Sequence, residues 1–272
     1  MLMKNATKYP VLLVHGMTFR DRPYFNYWGR VPEALERMGC QIFYGHQDGC
    51  ASVEENGAVI AGRIREIIEQ TGAEKVNIIA HSKGGLDSRY AISTLGEAER
   101  VASLTTVCTP HNGSETMDAI MKLPRWTLKT ICFFADLWFR FLGDSSPNCF
   151  SCISLFTTNE AERFNRENPD DESIYYQSYA FVMSRASSDM LMWFSNLVVG
   201  HFEGENDGLL APRAVKWGIF RGVFRGARKR GVSHLDEIDF RRRPLTKKTG
   251  DGVSDIVKFY ENIVGELADK GF

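Results

Sequence analysis

Short apolar segments alternate with amphipathic segments through the first half of the chain. The apolar runs predict strands at residues 11–14, 41–44, 76–80 and 101–107. The segments between them carry apolar side chains at helical spacing and predict helices at residues 32–38, 53–70 and 83–94. Ser52 and Glu55 have the spacing of a capping box at the start of the second helix. Strands that alternate with helices in this way are typical of a parallel sheet covered on both faces.

The pattern changes in the middle of the chain. Residues 114–155 form an aromatic-rich segment with no obvious place in a sheet, and its crowded aromatic residues are Trp126, Phe133, Phe134, Trp138, Phe139 and Phe141. We predict that this segment is an inserted lid or cap, with core packing against the sheet as the alternative. Sheet character returns at residues 174–183, and residues 253–267 have the apolar spacing of a final amphipathic helix. The whole chain, residues 1–272, is expected to form one α/β domain that carries this insertion.

Composition excludes several classes of protein. The chain has 33 Lys and Arg against 34 Asp and Glu, a formal net charge of -1, so no overall field attracts nucleic acid. The most apolar stretch, residues 131–142, is interrupted by Asp136 and Arg140 and is shorter than the roughly 20 residues that span a bilayer. No transmembrane segment is expected. No signal peptide is visible, which leaves a cytoplasmic protein or a secreted form without its leader.

Six cysteines are present, at positions 40, 50, 108, 132, 149 and 152. A core of this size does not need disulfide bonds, so we interpret them mainly as free thiols. Cys149 and Cys152 form a C-x-x-C motif without a second pair at zinc-finger spacing. The prediction for these two residues is therefore a loop position rather than a metal or redox site.

Ser82 is the candidate nucleophile. It lies between a predicted strand and a predicted helix in the segment Ile79-Ala80-His81-Ser82-Lys83-Gly84. A sharp strand-to-helix turn leaves room only for small residues two positions before and two after the serine, where Ala80 and Gly84 stand. A helix N-cap serine is the alternative interpretation.

A serine hydroxyl needs a base and an orienting acid, which follow the nucleophile in the order acid, histidine in this architecture. His234 lies in a polar loop before the final helix, where such a base is expected, whereas His201 precedes the best acid and is interpreted as structural. That acid is Asp207, in a turn-rich loop. Spacing alone does not separate Asp207 from the other acidic residues in the region, which are Asp189, Glu203 and Glu205.

Acyl transfer also needs two backbone N–H groups that bind the developing oxyanion. Lys83 supplies one by its position after the nucleophile, and Met17 supplies the other from the loop after the first strand. Both assignments depend on position alone. The Lys83 side chain is expected to place a cation near the mouth of the cleft and to bias the choice between neutral and anionic esters.

Several motifs occur in the order found in bacterial triacylglycerol lipases of the true-lipase family, which this chain resembles. They are Tyr9-Pro10-Val11-Leu12-Leu13-Val14-His15-Gly16-Met17, Tyr27-Trp28-Gly29, Ile79-Ala80-His81-Ser82-Lys83-Gly84-Gly85, Thr109-Pro110-His111-Asn112-Gly113, Asn206-Asp207-Gly208-Leu209 and His234-Leu235-Asp236-Glu237. The resemblance implies an α/β-hydrolase fold, a mostly parallel central sheet flanked by helices with an inserted helical lid. It also implies a triad of Ser82, Asp207 and His234, with an oxyanion hole formed by Met17 and Lys83.

The same resemblance implies a structural calcium ion near His234, while the chemistry itself requires no cofactor. Asp236, two residues after His234, would be one ligand, and Asp189 is the nearest candidate for a second. Calcium binds six to eight oxygen ligands, of which the sequence offers these two side chains. The chain also departs from the family here, because Asp239-Phe240 stands where Asn-Gln is common.

The expected function is hydrolysis of carboxylic esters such as triacylglycerols through an acyl-enzyme, with a lipid or a small ester as substrate. Trp126, Phe133, Phe134 and Trp138 are expected to form the lid and to contact substrate or a lipid interface. Acyltransferase or phospholipase activity on the same triad remains open, as does a non-catalytic lipid-binding module. The basic clusters at 221–230 and 241–248 are interpreted as a solvated face, with an anionic lipid surface as the alternative.

Overall fold

The computed structural model describes residues 6–22, 26–227, 230–247 and 250–272. Its centre is one parallel sheet with the strands β1 (Val11–Val14), β2 (Ile42–Tyr44), β3 (Val76–His81), β4 (Val101–Val107), β5 (Tyr175–Phe181) and β6 (Ile219–Phe224). The order across the sheet is β2-β1-β3-β4-β5-β6, and each neighbouring pair is parallel. The predicted parallel sheet is confirmed.

Helices connect the strands and cover the sheet. They are α1 (Val31–Arg37), α2 (Val53–Thr71), α3 (Gly84–Ser93), α4 (Glu115–Ile120), α5 (Arg125–Phe141), α6 (Cys149–Leu155), α7 (Thr158–Glu167), α8 (Trp193–Glu203), α9 (Pro212–Val215) and α10 (Ile256–Asp269). Parallel neighbours need long crossover connections, which these helices supply.

The strand β1 is apolar throughout because each of its faces packs against helices. Along β1, Val11 and Leu13 pack in the cluster that contains α1 and α10. Leu12 and Val14, which point the other way, pack in the cluster that contains α2 and α3. A strand buried on both faces loses the polar alternation of a surface strand, as the sequence pattern indicated.

The helix α2 begins and ends as the sequence predicts. The Ser52 hydroxyl accepts from the backbone N–H of Glu55, and the Glu55 side chain accepts from the backbone N–H of Ser52. The helix ends at Gly72, whose left-handed conformation (φ 68°) favours glycine. The reciprocal capping bonds fix where the chain enters the helix after β2.

The aromatic segment forms α4, α5 and α6 at the carboxyl end of β4. Only Leu128, Cys132 and Phe139 of α5 are buried. The aromatic residues of its other face are exposed, with Trp126 73%, Phe134 64% and Phe141 81% accessible. Simple core packing of the aromatic stripe is therefore wrong, because this face of α5 has no covering element in the described chain.

Four elements were not predicted from the pattern. They are α7, α8, α9 and β6. In β6 the side chains alternate between exposed and half-buried, so its hydrophobic signal is weak. None of the helices in the described ranges is long and apolar enough to cross a lipid bilayer.

Four of the basic residues in and after β6 are paired with acids. Arg221 contacts Glu266, and Arg225 contacts Glu205. Arg230 and Arg241 both contact Asp236. Of the two predicted clusters, Arg228, Lys229 and Lys248 lie outside the described residues.

Candidate active site

Ser82 lies on the turn between β3 and α3 with a left-handed backbone (φ 53°), which is uncommon for a residue other than glycine. The turn is held by the Ser82 N–H, which donates to the Val107 carbonyl at 2.9 Å. The Thr109 hydroxyl donates to the Ser82 carbonyl at 2.7 Å. Since α3 begins at Gly84 and is preceded by Lys83 as its N-cap, Ser82 is not the N-cap residue. The geometry is that of a strained turn that projects a serine from the sheet edge.

Two glycines make this turn possible. A Cβ atom on Gly84 would lie 2.4 Å from the His15 carbonyl oxygen. A Cβ atom on Gly16 would lie 2.6 Å from the Ser82 Cβ atom. The loop after β1 therefore packs directly on the serine turn, and only glycine fits at both points of contact.

Asp207 and His234 form a direct pair. The Asp207 Oδ2 atom lies 2.8 Å from His234 Nδ1, and the His234 backbone N–H donates to the Asp207 carbonyl at 2.8 Å. Asp207 Oδ1 accepts from the backbone N–H groups of Leu209 and Leu210, each at 2.7 Å. These bonds orient the imidazole and leave its Nε2 atom available to a substrate or nucleophile.

The Asp207 carboxylate is completely buried, yet it remains charged. Burial alone would raise its pKa, but attraction to His234 and the hydrogen bonds that it accepts lower its pKa below the ordinary value. A buried carboxylate of this kind favours the positively charged imidazole that forms during proton transfer.

The three other candidate acids bind partners other than His234. Glu203 accepts from Ser114 and Thr116, Glu205 pairs with Arg225, and Asp189 pairs with Arg241. His201 lies exposed on α8. Of the four acids that spacing left open, the structure brings Asp207 to His234.

A buried polar network behind His234 was missed from the sequence. Glu237 Oε2 lies 2.8 Å from His81 Nε2 and 3.4 Å from His234 Nδ1. His81 Nδ1 is in turn 2.7 Å from the Tyr27 hydroxyl, and the Cys108 thiol donates to Glu237 Oε1 at 3.2 Å. Glu237 lies in the short helix Asp236–Ile238 and follows His234 by three residues, and that spacing was the available signal.

Met17 and Lys83 lie on the two loops that meet at Ser82. The Lys83 side chain does not lie where the sequence analysis expected it. Lys83 is 1% exposed, and its ammonium group pairs with Asp87 Oδ1 at 2.5 Å. The expectation of a cation at the cleft mouth is wrong, because the first turn of α3 directs this side chain inward to a buried carboxylate.

Ser82 and His234 line one cavity of about 660 Å³. Its other walls are mainly apolar, and they include Met17, Trp138 of α5, Phe156, Leu191 and Leu209. Of the four residues predicted for the lid, Trp138 lies at this cavity, while Trp126, Phe133 and Phe134 are exposed. The volume is in the range of small-molecule sites, and the lining suits an alkyl chain.

Asp189 and Asp236 do come together, but with arginine between them. Arg241 donates to Asp189 Oδ1 at 2.7 Å and to Asp236 Oδ1 at 2.8 Å. Arg230 donates to both oxygens of Asp236 at 2.9 Å, and the Ser233 hydroxyl donates to Asp189 Oδ2 at 2.5 Å. Guanidinium groups already neutralise both carboxylates, so these residues do not fit the calcium ion that the resemblance implied.

Comparison with known proteins gives the family. A family described as alpha/beta hydrolase fold matches residues 9–147. Triacylglycerol lipase 2 of Saccharomyces cerevisiae is 30% identical over 262 residues, which cover 90% of this chain and 74% of the relative. Triacylglycerol lipase of Vibrio cholerae is 27% identical over 263 residues, 86% of this chain and 81% of the relative. Triacylglycerol lipase of Pseudarthrobacter phenanthrenivorans is 32% identical over 177 residues, 60% of this chain and 55% of the relative.

Solved structures share the fold. The Staphylococcus hyicus lipase aligns with a TM-score of 0.71 at 18% identity, covering 97% of this chain and 96% of that one. The mature Bacillus licheniformis lipase BlEst2 aligns with a TM-score of 0.66 at 21% identity, covering 85% and 87%. The chain therefore belongs to the α/β-hydrolase fold family and, within it, to the triacylglycerol lipases.

Proposed function

We propose that this protein is a serine carboxylic-ester hydrolase of the lipase type, with Ser82 as nucleophile, His234 as base and Asp207 as the orienting acid. One observation carries the proposal. The Asp207–His234 pair and a strained, projecting Ser82 open onto the same mainly apolar cavity. A polar reaction centre at the wall of an apolar cavity suits a substrate that joins a polar ester to a long alkyl chain.

The reaction follows from these positions. The Ser82 hydroxyl attacks the ester carbonyl carbon while His234 Nε2 takes its proton, and a tetrahedral oxyanion forms. The imidazolium then gives that proton to the leaving alkoxide, and the C–O bond to the alcohol breaks. Water repeats the sequence on the acyl-serine, so the carboxylic acid leaves and Ser82 regains its proton.

The oxyanion is assigned to the backbone N–H groups of Met17 and Lys83. This assignment is supported by the contact between the loop after β1 and the serine turn, where Gly16 meets Ser82. Two preorganised donors strengthen their bonds as the carbonyl oxygen gains charge. Removal of one such donor costs about 10²–10³ in kcat in related chemistry.

The proposed substrates are acyl esters, including triacylglycerols, on which the named relatives act. The acyl chain would lie along the apolar wall formed by Phe156, Leu191 and Leu209. Burial of each methylene group there contributes about 0.8 kcal/mol, so longer chains are expected to bind more tightly until the cavity is filled.

The segment at residues 114–155 is proposed to act as a lid at a lipid interface. Phe133 and Phe134 are 58% and 64% exposed on α5, while Trp138 of the same helix reaches the cavity. Next to Leu191 and Met192, which also line the cavity, Met190 is 78% and Phe194 is 69% exposed. Exposed apolar surface beside a substrate cavity is suited to contact with a lipid surface.

Hydrolysis of a chain-length series of p-nitrophenyl esters and of triglyceride emulsions tests the function. The wild type should hydrolyse both, with a preference for acyl chains that fill the cavity, and Ser82→Ala should not. Product analysis in the presence of an alcohol acceptor separates hydrolysis from acyl transfer. A wild type without esterase activity on any member of the series would contradict the proposal.

The lid is tested by a comparison of two substrates. Phe134→Ser should slow hydrolysis of emulsified triglyceride several-fold and leave hydrolysis of a soluble short-chain ester nearly unchanged. Val59→Ser is the matched control, because Val59 is a 41% exposed apolar residue on α2. Equal rates for both variants on emulsions would contradict the interfacial role of α5.

A further inference from the structure

Four of the six cysteines meet beneath α5, although they come from three separate parts of the chain. Cys50 lies in the loop between β2 and α2, Cys132 lies on α5, and Cys149 and Cys152 lie one turn apart on α6. All four are buried and pack together as one group, which we call the cysteine cluster. The prediction that Cys149 and Cys152 are loop residues is wrong, because both are on a helix.

The sulfur atoms are close enough to interact directly. The Cys50 thiol interacts with those of Cys149 and Cys152, and the Cys132 thiol interacts with that of Cys149. The Cys152 thiol donates to the Ala51 carbonyl at 3.0 Å. The sulfur atoms of Cys50 and Cys149 and a carboxylate oxygen of Asp136 all lie within 4.8 Å of one another. Thiolates around one zinc ion lie about 3.8 Å apart, given a Zn–S bond of about 2.3 Å. Cys50 and Cys149 therefore need only small side-chain movements to share one ion, and Cys132 and Cys152 pack against them.

A buried cation lies next to the cysteine cluster. The buried Lys83 ammonium group interacts electrostatically with Cys152 and Cys50 as well as with Asp87. The backbone N–H of Cys149 donates to Asp136 Oδ1 at 2.6 Å, which fixes the first turn of α6. A fixed cation and an ordered backbone are features that support metal-bound thiolates.

We propose that the cysteine cluster is a structural zinc site formed by Cys50, Cys132, Cys149 and Cys152. Four soft sulfur ligands select Zn²⁺ in tetrahedral geometry, and a site closed by four protein ligands is structural because no position remains for substrate. On binding, each thiol releases its proton to solvent and forms one sulfur–zinc bond. The complex of four thiolates and one Zn²⁺ carries two negative charges, and the Lys83 ammonium group, which also pairs with Asp87, is a nearby cation.

The site would fasten the base of the lid segment to the main domain. The Cys50 loop is itself held by Asp144, which accepts from the backbone N–H groups of Gly49 and Cys50 at 3.0 and 2.8 Å. A zinc ion would join this loop to α5 and α6 through their buried faces, and the aromatic face of α5 would remain exposed. This role concerns the stability of the lid and does not depend on ester hydrolysis.

Metal analysis of the purified full chain tests the site. Protein expressed with added zinc and purified under reducing conditions without chelator should contain about one zinc ion per chain. The double variant Cys149→Ser/Cys152→Ser should contain none, while Cys40→Ser, which changes a buried cysteine outside the cluster, should retain the ion. Circular dichroism of each variant shows whether it is folded.

A second measurement needs no variant. Cobalt added anaerobically to metal-free wild type should produce thiolate-to-cobalt charge-transfer absorption that saturates at about one equivalent, with visible bands of tetrahedral intensity. Zinc should then displace the cobalt. Zinc well below one ion per chain, together with no thiolate-to-cobalt absorption, would overturn the proposal. A disulfide bond between two of the four cysteines in anaerobically purified protein would also overturn it.

Discussion

His81 Nε2 and Glu237 Oε2 lie 2.8 Å apart in the interior, behind the His234 imidazole. Burial, and then the nearby Asp207 carboxylate, raise the pKa of Glu237 well above its ordinary value of 4.5. Burial likewise lowers the pKa of His81 well below its ordinary value. Burial therefore favours the neutral form of both groups. Asp207 is then the charged carboxylate in contact with His234 Nδ1.

The raised pKa of Glu237 predicts that this residue makes the stability of the protein depend on pH. In the unfolded chain Glu237 ionises above pH 4.5, whereas in the folded chain it stays neutral. Its contribution to stability is therefore full below pH 4.5 and is lost as the pH rises toward the folded-state pKa. Relative to wild type, Glu237→Gln should gain stability with rising pH by up to about 1.4 kcal/mol per pH unit.

Chemical denaturation from about pH 5 to about pH 8 measures this difference. The control is Glu74→Gln, because the Glu74 side chain is 80% exposed and its substitution should give a difference that does not vary with pH. A Glu237→Gln difference that is constant across this range would show that the carboxyl is ionised in the folded state.

Lys83→Gln should destabilise the protein without changing its preference between neutral and anionic esters. The side chain is buried against Asp87, so its removal leaves a buried carboxylate without its cation. Such a loss costs about 3–5 kcal/mol of unfolding free energy. Thermal denaturation and the ratio of rates on the two ester classes measure the two effects. The control is Lys258→Gln, at an exposed lysine, which should change neither the stability nor the ester preference. A changed ester preference in Lys83→Gln alone would contradict the buried placement of Lys83.

Gly16→Ala should reduce kcat by about 10²–10³, the cost of losing one oxyanion donor. The added methyl group would lie 2.6 Å from the Ser82 Cβ atom and would push the Met17 peptide away from the nucleophile. Gly62→Ala on α2 is the control, because nothing lies within 4 Å of the added methyl group. That variant should keep full activity and gain about 0.5–1 kcal/mol of stability. Full activity in Gly16→Ala would contradict the assignment of Met17.

Calcium should not stabilise the wild type, because Arg241 already links Asp189 to Asp236. Arg241→Gln should lower the free energy of unfolding by about 3 kcal/mol, since two buried carboxylates lose a partner. Thermal denaturation with and without millimolar calcium measures both effects. Arg243→Gln, at an exposed position, is the control. A higher Tm of wild type in calcium would show that the ion competes with the arginine.

Much of the fold could be predicted from local sequence signals. The runs at β1, β3 and β4 are apolar because both faces of each strand are buried, and the Ser52–Glu55 capping box is a purely local arrangement. The strand β6 escaped prediction because it lies at the sheet edge and its side chains are only half buried. Burial that is decided by tertiary neighbours leaves little trace in a short sequence window.

The active site likewise combines residues that local sequence predicts with residues that only the folded structure brings together. Ser82 was predicted from the small residues around it, because the steric demands of the turn act over a few positions. The choice of Asp207 over Glu203 depended on family resemblance, since only the folded loops decide which acid reaches His234. The cysteine cluster was missed for the same reason: Cys50 and Cys149 are far apart in sequence, and a motif search finds only ligands that are neighbours in the chain.

Labelling with a fluorophosphonate tests the central claim most directly, because this probe forms a covalent bond with an activated serine hydroxyl. The account predicts stoichiometric labelling of wild type on the peptide that contains Ser82, no labelling of Ser82→Ala, and labelling of His234→Gln that is slower by a factor on the order of 10³ or more. Labelling that persists in Ser82→Ala, or that proceeds at the wild-type rate in His234→Gln, would contradict it.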